Sequence, residues 1–454
     1  MLEKATKREK VKFSSPDMLE TELKENLKVK RFFLVLDDFW RECVSDQQLD
    51  RLLSPLMVEK MGSKILVTTR FADAARALGA QNLIPMPEMD ENQYSLMFMH
   101  YARISDQALS SEHELIGKKI AEKLGRSPLA ARTVAGQLRG KYINYWKRTM
   151  NSDLLNNETW AALWWSYQQL EDHVKQCFTY CSMFPRRYRL RRDELVHLWV
   201  AQGFVDMEDI GHDCFDVLLS CSFIQPKGVG WHFTIHDLMH DLAKRVAGND
   251  CFTFEKGMVD RIPQDVRHLC IESYDETVFR EQVLKLKTLR TIFVSDWMAT
   301  MAEKDWEKLL MNLKKLRVVQ VPGWKGKIPN YIGELKHLRY LSFSRIGIET
   351  ILPHTFCKLY HLQKFSASEC KVDLSLVNET ISNLVNLQYI DRVIGWDFRN
   401  IRRMTGLRTL GAFIARERRV MRYSSWSTWT TFMATYGSKD LKTLTARRKL
   451  SRPS

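Results

Sequence analysis

The second half of this sequence repeats one short pattern, and that repetition constrains the fold more than any other feature. In each copy two leucines stand three positions apart, with methionine replacing the first leucine in the last copy, and Arg or Gln follows the second leucine. The copies occupy residues 286–292, 313–319, 335–341, 359–365, 384–390 and, in degenerate form, 404–410. Each copy leaves one apolar side uncovered until a neighbour stacks against it. The pattern therefore predicts a solenoid with a concave face of strands.

The spacing of the copies narrows the prediction. Successive copies begin 27, 22, 24, 25 and 20 residues apart, which are the lengths of leucine-rich repeats. An accidental helical leucine pattern is a poor alternative over six copies. We expect leucine-rich repeats over residues 256–413 and an irregular basic tail over residues 414–454.

Near the N-terminus, residues 32–36 form an apolar run that ends in two adjacent carboxylates, Asp37 and Asp38. Such a run predicts a parallel strand covered on both faces. A second run, residues 64–69, ends at Arg70, and the helical pattern between the two runs implies parallel pairing. Ligands bind at the carboxyl edge of such a sheet. Carboxylates there suit a magnesium–nucleotide, and a guanidinium suits phosphate; a solvated turn and a surface arginine are the alternatives.

Composition excludes several classes of protein. The hydrophobic content of 45% and charged content of 27% are those of a soluble globular protein, and no apolar run approaches a membrane span. The nine scattered cysteines predict reduced thiols of the cytoplasm or nucleus. The net charge of +15 is spread along the chain without an aromatic-interleaved basic module, so direct nucleic-acid binding is not expected.

Two pairs of residues in the middle of the chain suggest metal binding and also have simpler explanations. Cys177 and Cys181 stand one helical turn apart, but no further thiols or histidines complete a zinc set, so buried packing is favoured. His236 and His240 are also four apart, but Asp237 stands where a metalloprotease has its glutamate and no third ligand is evident. A structural histidine is the simpler explanation here.

Several of these segments resemble, in the right order, motifs of plant NB-ARC leucine-rich-repeat (NLR) immune receptors. Residues 34–40 and 62–70 resemble the Walker B and sensor motifs, and Trp40 is typical of the coiled-coil class. Residues 124–130 resemble the Gly-Leu-Pro-Leu-Ala motif, with Arg126 for the glycine and Ser127 for the leucine. Residues 177–185 and 195–204 are similar to winged-helix motifs, and residues 235–237 to the Met-His-Asp motif, with isoleucine for methionine.

The resemblance implies an α/β multidomain protein. It would contain a partial P-loop NTPase-type parallel sheet (residues 1–84), a helical ARC1-like subdomain (85–150) and a winged-helix, ARC2-like domain (151–255), followed by the repeats. Residue 116 to residue 138 is expected to be helical.

The resemblance also implies the roles of single residues around ADP or ATP with Mg²⁺. In that scheme Asp37 holds magnesium, Asp38 polarises water and Arg70 senses the γ-phosphate. Pro128 packs against adenine, and His236, followed by Asp237, hydrogen-bonds the β-phosphate. No glycine-rich Walker A loop occurs in residues 1–36. We therefore expect an N-terminally truncated member with weak or lost nucleotide binding and no ATP hydrolysis.

The function implied is that of an intracellular immune receptor in the cytoplasm or nucleus. Its repeats would bind a pathogen effector or a guarded host protein, and it would associate with other receptors. One alternative is a nucleotide-independent interaction protein, a decoy or regulator of full-length receptors. A remote alternative is a metal-dependent phosphohydrolase using His236, Asp237, His240 and Asp241.

Overall fold

The computed structural model describes most of the chain between residues 16 and 410. The described residues are 16–28, 31–37, 39, 46–56, 62–69, 71–80, 82–103, 110–228, 231–255, 261–295, 302–322, 326–344, 349–368, 371–373, 376–377, 380–391 and 406–410. They belong to two compact units, Met1–Glu88 and Met89–Ser454. Asp38, Trp40, Arg70 and the predicted tail at 414–454 lie outside the described residues. Among the described residues, no helix combines the length and apolar character needed to cross a bilayer.

The N-terminal unit contains a small parallel sheet and short helices. Its elements are α1 (Pro16–Lys28), β1 (Phe33–Leu36), α2 (Asp46–Leu53), a 3₁₀ turn (Ser54–Leu56), β2 (Lys64–Val67) and α3 (Ala72–Ala77). Strands β1 and β2 pair in parallel, from Phe33 opposite Lys64 to Leu36 opposite Val67. The parallel pairing predicted from the helical crossover is confirmed.

The prediction that both strands are covered on both faces is wrong. Along β1, exposed and half-buried residues alternate, and Phe33 and Val35 are 67% and 50% exposed. On β2, Ile65 and Leu66 are also exposed. The sheet has only two described strands, and exposed apolar side chains on both of them show that the described elements do not cover it as a buried parallel sheet is covered.

Six helices open the second unit: α4 (Glu91–Ala102), α5 (Ser111–Glu122), α6 (Pro128–Leu138), α7 (Ile143–Met150), α8 (Thr159–Gln168) and α9 (Asp172–Tyr180). The continuous helix predicted over residues 116–138 is interrupted between α5 and α6. Gly125 and Arg126 take left-handed φ values of 57° and 51°, and Pro128, which lacks an amide hydrogen, begins the next helix. Close packing requires the glycine, because a Cβ there would lie 2.1 Å from the carbonyl oxygen of Asn157.

A winged-helix fold follows. It consists of a 3₁₀ turn (Cys181–Met183), β3 (Leu190–Arg191), α10 (Arg192–Gln202), α11 (Glu208–Ser220), β4 (Gln225–Pro226), β5 (His232–Thr234) and α12 (Asp237–Ala247). The three short strands form an antiparallel sheet in the order β3-β5-β4. Gly203 ends α10 in the left-handed conformation, with φ 77°, that helix ends favour.

The repeats form a parallel sheet of eight described strands. These are β6 (Cys251–Phe254), β7 (His268–Ile271), β8 (Thr291–Val294), β9 (Val318–Pro322), β11 (Tyr340–Ser344), β13 (Lys364–Ser368), β15 (Tyr389–Asp391) and β16 (Thr409–Leu410). From β8 onward, each strand begins at the sixth position of a predicted copy. The solenoid prediction is confirmed by this correspondence.

The outer side of the solenoid is made of short elements between the strands. They include α13 (Glu276–Glu281) and α14 (Glu303–Asn312), with 3₁₀ turns at Val283–Lys285, Asn330–Glu334, His354–Lys358 and Ile381–Asn383. A second parallel sheet contains β10 (Gly326–Lys327), β12 (Glu349–Ile351) and β14 (Lys371–Asp373). The repeated leucines lie between these elements and the main sheet.

The main sheet contributes to two hydrophobic cores, because successive strand residues point to opposite faces. Ile292 and Val319 pack inside the solenoid. Their neighbours Phe293 and Val318, together with Tyr340, pack instead with the winged-helix residues. The winged helix therefore shares one continuous core with the strand face of the first repeats.

Candidate functional site

Asp37 follows directly after β1, at the carboxyl end of the two-stranded sheet. The carboxylate is exposed, and the Thr68 hydroxyl donates a 2.6 Å hydrogen bond to its Oδ1. Thr68 follows β2, and its amide donates to the carbonyl of Leu36, so the parallel register brings the two side chains together. An exposed carboxylate is an oxygen ligand of the kind that Mg²⁺ accepts together with water and phosphate oxygens. Asp38 and Arg70, the other predicted residues at this edge, lie outside the described residues.

Pro128 lies at the first position of α6, and the segment before it is held by several contacts. Ser127 caps the helix, with its hydroxyl accepting from the amide of Ala130. The Tyr94 hydroxyl donates to the Ser127 carbonyl at 3.0 Å, and burial raises the pKa of Tyr94. The exposed Arg126 guanidinium lies 3.3 Å from Glu91. Arg126, at the glycine position of the motif, thus points to solvent-exposed Glu91.

His236 is the N-cap residue of α12 and is half-buried. Its Nδ1 accepts a 3.2 Å hydrogen bond from the amide of Leu238. In the neutral imidazole, an accepting Nδ1 places the proton on Nε2, which makes Nε2 a donor. The helix N-terminus also carries a partial positive charge that favours anions. In this tautomer the donor proton of the ring lies on Nε2, at the end of the helix that favours anions.

Two arginines that no sequence motif indicated, Arg186 and Arg187, form ion pairs with the first turns of α12; we call this group the arginine clamp. Arg187 forms a 3.2 Å ion pair with Asp237, whose side chain is 4% exposed. Arg186 forms a short ion pair with Asp241, one turn further along. Two carboxylates at positions i and i+4 share one helix face, and two consecutive arginines opposite them are the signal that could have identified the clamp.

The backbone of Arg187 is itself constrained. It takes φ 60°, in the left-handed region that non-glycine residues rarely occupy. Lys227 lies in the β4–β5 hairpin, the wing of the fold, and its ammonium donates a 3.1 Å hydrogen bond to the carbonyl oxygen of Arg187. The clamp therefore links the start of α12 to the wing.

His240 lies on α12 and is fully buried. Its Nε2 lies 2.8 Å from the carbonyl oxygen of Phe184, to which it donates. Burial is the main cause that lowers its pKa to about 4, and the nearby Lys244 and Arg186 add to it. His240 is thus a neutral structural histidine near pH 7.

The four residues of the phosphohydrolase alternative therefore have different partners. His236 bonds a backbone amide, His240 a backbone carbonyl, and each aspartate an arginine. The described part of the chain contains no group of three or more His, Cys, Asp or Glu arranged to hold a metal ion.

Cys177 and Cys181 are both fully buried in the winged-helix core, as the packing interpretation expects. The Cys181 thiol donates to the carbonyl of Cys177 at 3.2 Å. Burial raises the pKa of both thiols, so neither is a reactive thiolate near pH 7.

Comparison with known families gives two matches along the chain. A sequence model of the NB-ARC domain matches residues 1–106. A model of the winged-helix domain of disease resistance proteins matches residues 183–243, which include the arginine clamp and His236.

Curated relatives extend the similarity into the repeats. A protein named as a disease resistance protein in Arabidopsis thaliana is 34% identical over 373 residues, covering 78% of this chain and 26% of the relative. The disease resistance RPP13-like protein 1 of the same species is 32% identical, covering 77% of this chain and 35% of the relative. The disease resistance protein RGA2 of Solanum bulbocastanum is 33% identical, covering 50% of this chain and 24% of the relative. The chain thus spans about a quarter to a third of the length of these relatives.

Among solved structures, a leucine-rich-repeat protein of Leptospira interrogans covers 37% of this chain and 50% of its own, with 17% identity and a TM-score of 0.28. An internalin of Listeria monocytogenes covers 37% of this chain and 62% of its own, with 12% identity and a TM-score of 0.25. TM-scores this low support no structural conclusion about this chain.

Proposed function

This chain belongs to the NB-ARC family of plant disease resistance proteins, and we propose that it acts as an immune receptor controlled by ADP and ATP. The family's NB-ARC domain is a nucleotide-binding domain, and the strands of the repeats offer a surface for protein partners. This chain spans only about a quarter to a third of the length of the relatives. Their receptor activity is therefore a proposal for this chain.

The geometry of His236 carries the proposal. Its Nδ1 is engaged by the helix backbone, which places the donor proton on Nε2 at the anion-favouring end of α12. A phosphate group needs such a donor, and the arginine clamp fixes the helix that carries it. Asp237, being buried against Arg187, positions this helix and does not contact phosphate in our proposal.

The remaining predicted contacts complete the proposal. Asp37 is the proposed ligand of Mg²⁺ bound with the nucleotide, held in orientation by Thr68. Asp38 and Arg70 keep their proposed roles toward water and the γ-phosphate, and Pro128 its role toward adenine. When bound, magnesium would neutralise phosphate charge.

The proposed partners are proteins: a pathogen effector or a guarded host protein at the repeats, and other receptors of this family. The proposed location is the cytoplasm or nucleus. Expression as a fluorescent fusion in leaf cells, with fractionation, tests this location.

The first experiment is the nucleotide content of the purified chain, released by denaturation and identified by chromatography. Because binding is expected to be weakened, we expect ADP at less than one molecule per chain. We expect His236→Asn to lower this occupancy further, because asparagine keeps the helix cap but lacks the ring donor. His173→Asn, a half-exposed histidine on α9, is the matched control. Equal ADP content in both variants would contradict the role of His236.

We also expect this chain to release no phosphate from ATP, because residues 1–36 hold no glycine-rich phosphate loop. A phosphate-release assay on folded protein measures this directly. Folded protein without any nucleotide would instead favour the alternative of a nucleotide-independent interaction protein, for which the winged helix and repeats, sharing one core, supply a rigid scaffold.

A further inference from the structure

One repeat differs from the others at the position that faces the winged helix. At the sixth position of the copies stand Thr, Val, Tyr, Lys, Tyr and Thr in chain order, so Lys364 is the only charged residue of the series. Lys364 is 8% exposed. A buried ammonium requires an acceptor, because its desolvation is costly. The position of this lysine suggests a specific partner on the winged helix.

That partner is His197, in the middle of α10. The Lys364 ammonium lies 2.7 Å from His197 Nδ1, and it also lies over the ring of Tyr340, 5.7 Å from the centroid. On its other side, His197 Nε2 forms a short contact with the Glu208 carboxylate at the start of α11. The ring of Tyr389, from β15, lies 4.4 Å from the imidazole ring. The imidazole thus bridges the winged helix to two strands of the solenoid.

Only one protonation state of His197 satisfies both contacts. An ammonium has donors and no acceptor, and a carboxylate has acceptors and no donor. The neutral imidazole with its proton on Nε2 donates to Glu208 and accepts from Lys364. A second proton on Nδ1 would remove the acceptor and place two positive charges within hydrogen-bond distance.

We propose that Lys364, His197 and Glu208 form a proton-sensitive latch that holds β13 and β15 against the winged helix. Uptake of one proton by His197 releases Lys364 and separates these strands from α10. The first repeats stay docked, because their contact is made by the apolar residues Phe293 and Val318 and by the hydrogen bond from Gln202 to Thr291. The latch therefore opens at the later repeats.

The titratable groups around His197 come from four elements. Asp193 is on its own helix, Glu208 on α11, Lys364 on β13 and the tyrosine Tyr389 on β15. Burial and the Lys364 charge lower the pKa of His197, and together they outweigh Glu208 and Asp193, which act to raise it. Burial acts to raise the pKa of Glu208. The hydrogen bond from His197 and other contacts outweigh burial, so the pKa of Glu208 is lowered overall. Glu208 therefore stays ionised as the ring takes up its proton.

The direction of the pH effect follows from the lowered pKa of His197. Docking is fully favoured above the ordinary histidine pKa of about 6.5, and it weakens as the pH falls below that value. Once the pH is below the pKa of docked His197, the equilibrium constant for docking of β13 and β15 on α10 has fallen about tenfold for each unit by which docking lowers that pKa. His268, at the seam of the first repeats, has a pKa lowered to about 3, mainly by burial, so it stays neutral over this range.

Amide hydrogen exchange of the full chain tests the latch, with exchange times corrected for the intrinsic effect of pH. Between about pH 7.5 and pH 5.5, we expect protection of residues 364–368 to fall relative to residues 268–271. His197→Gln should abolish this fall, because glutamine donates to Glu208 and accepts from Lys364 at either pH. His361→Gln, an exposed histidine of the same repeat, should leave the fall unchanged.

A second variant keeps the proposal testable if His197→Gln does not fold. Lys364→Met removes the charge that opposes protonation, so its protection should respond less to pH than that of the wild type, while Lys358→Met, on the exposed side of the repeat, should respond normally. An unchanged wild-type ratio between the two regions, or the same fall in the glutamine and histidine proteins, would overturn the latch.

Discussion

Replacement of Phe293 by alanine tests whether the winged helix and the first repeats unfold together. Phe293 is fully buried on the strand face of β8. Its ring lies 5.2 Å from that of Phe184 and 6.0 Å from that of Tyr188, both edge-to-face. Removing a buried phenylalanine costs about 3–5 kcal/mol, and the two aromatic pairs make up about 0.5–1.5 kcal/mol each of it. We therefore expect a loss of about 4 kcal/mol.

Native-state hydrogen exchange reports where this loss is felt. In Phe293→Ala, protection should fall both in β8 and in the winged-helix segment Cys181–Met183, because one core joins them. Phe343→Ala is the matched control: Phe343 is 2% exposed but faces the interior of the solenoid, against Trp306 and Phe365. It should lower protection in the repeats and leave the winged helix nearly unchanged.

Unchanged protection of Cys181–Met183 in Phe293→Ala would refute the shared core. The same conclusion would follow if the two alanine variants lowered winged-helix protection equally. The effect would then be global and unrelated to the contact between the winged helix and the first repeats.

Two further predictions concern close packing and acid stability. Gly136→Ala should be destabilising by about 1–3 kcal/mol in urea denaturation, because the new Cβ would lie 2.7 Å from both the Cys221 Cα and the Ser220 carbonyl oxygen. Gly117→Ala meets the flexible Met99 thioether instead and should cost less. His240 has a pKa lowered to about 4. The stabilisation that its neutral ring gives to the folded state is therefore complete above about pH 6.5 and is lost as the pH falls to about 4. The stability difference between wild type and His240→Gln should narrow by about 3 kcal/mol over that range.

The repeats could be predicted from sequence because each of them carries its own local signal. The leucine pattern fixes which residues turn inward, and the strand begins at the same position of every copy. Successive apolar segments such as 195–204 likewise predict the order of the elements in the winged helix.

The sequence was less informative where distant segments determine the outcome. An apolar run such as Phe33–Leu36 predicts burial only if other layers cover it, and the run itself does not contain those layers. The break between α5 and α6 depends on left-handed residues at 125 and 126, of which only the glycine gives a signal. The motif resemblance singled out His236 and Asp237, but the ion pair of Asp237 with Arg187 joins residues 50 positions apart.

Contacts between the winged helix and the repeats were missed for the same reason. Lys364 and His197 are separated by 167 positions, and no local periodicity relates them. The signal that could have been read is the single charged residue at the sixth position of one copy.

The shared core also limits how such genes can exchange their recognition segments. A chimera joined near residue 256, where the repeats were predicted to begin, would pair a foreign Phe293, Val318 and Tyr340 with a winged helix shaped for other side chains. A crossover placed after β13 would keep that fit and the Lys364 contact intact. Recombination between relatives should therefore be tolerated in the later repeats and penalised in the earlier ones.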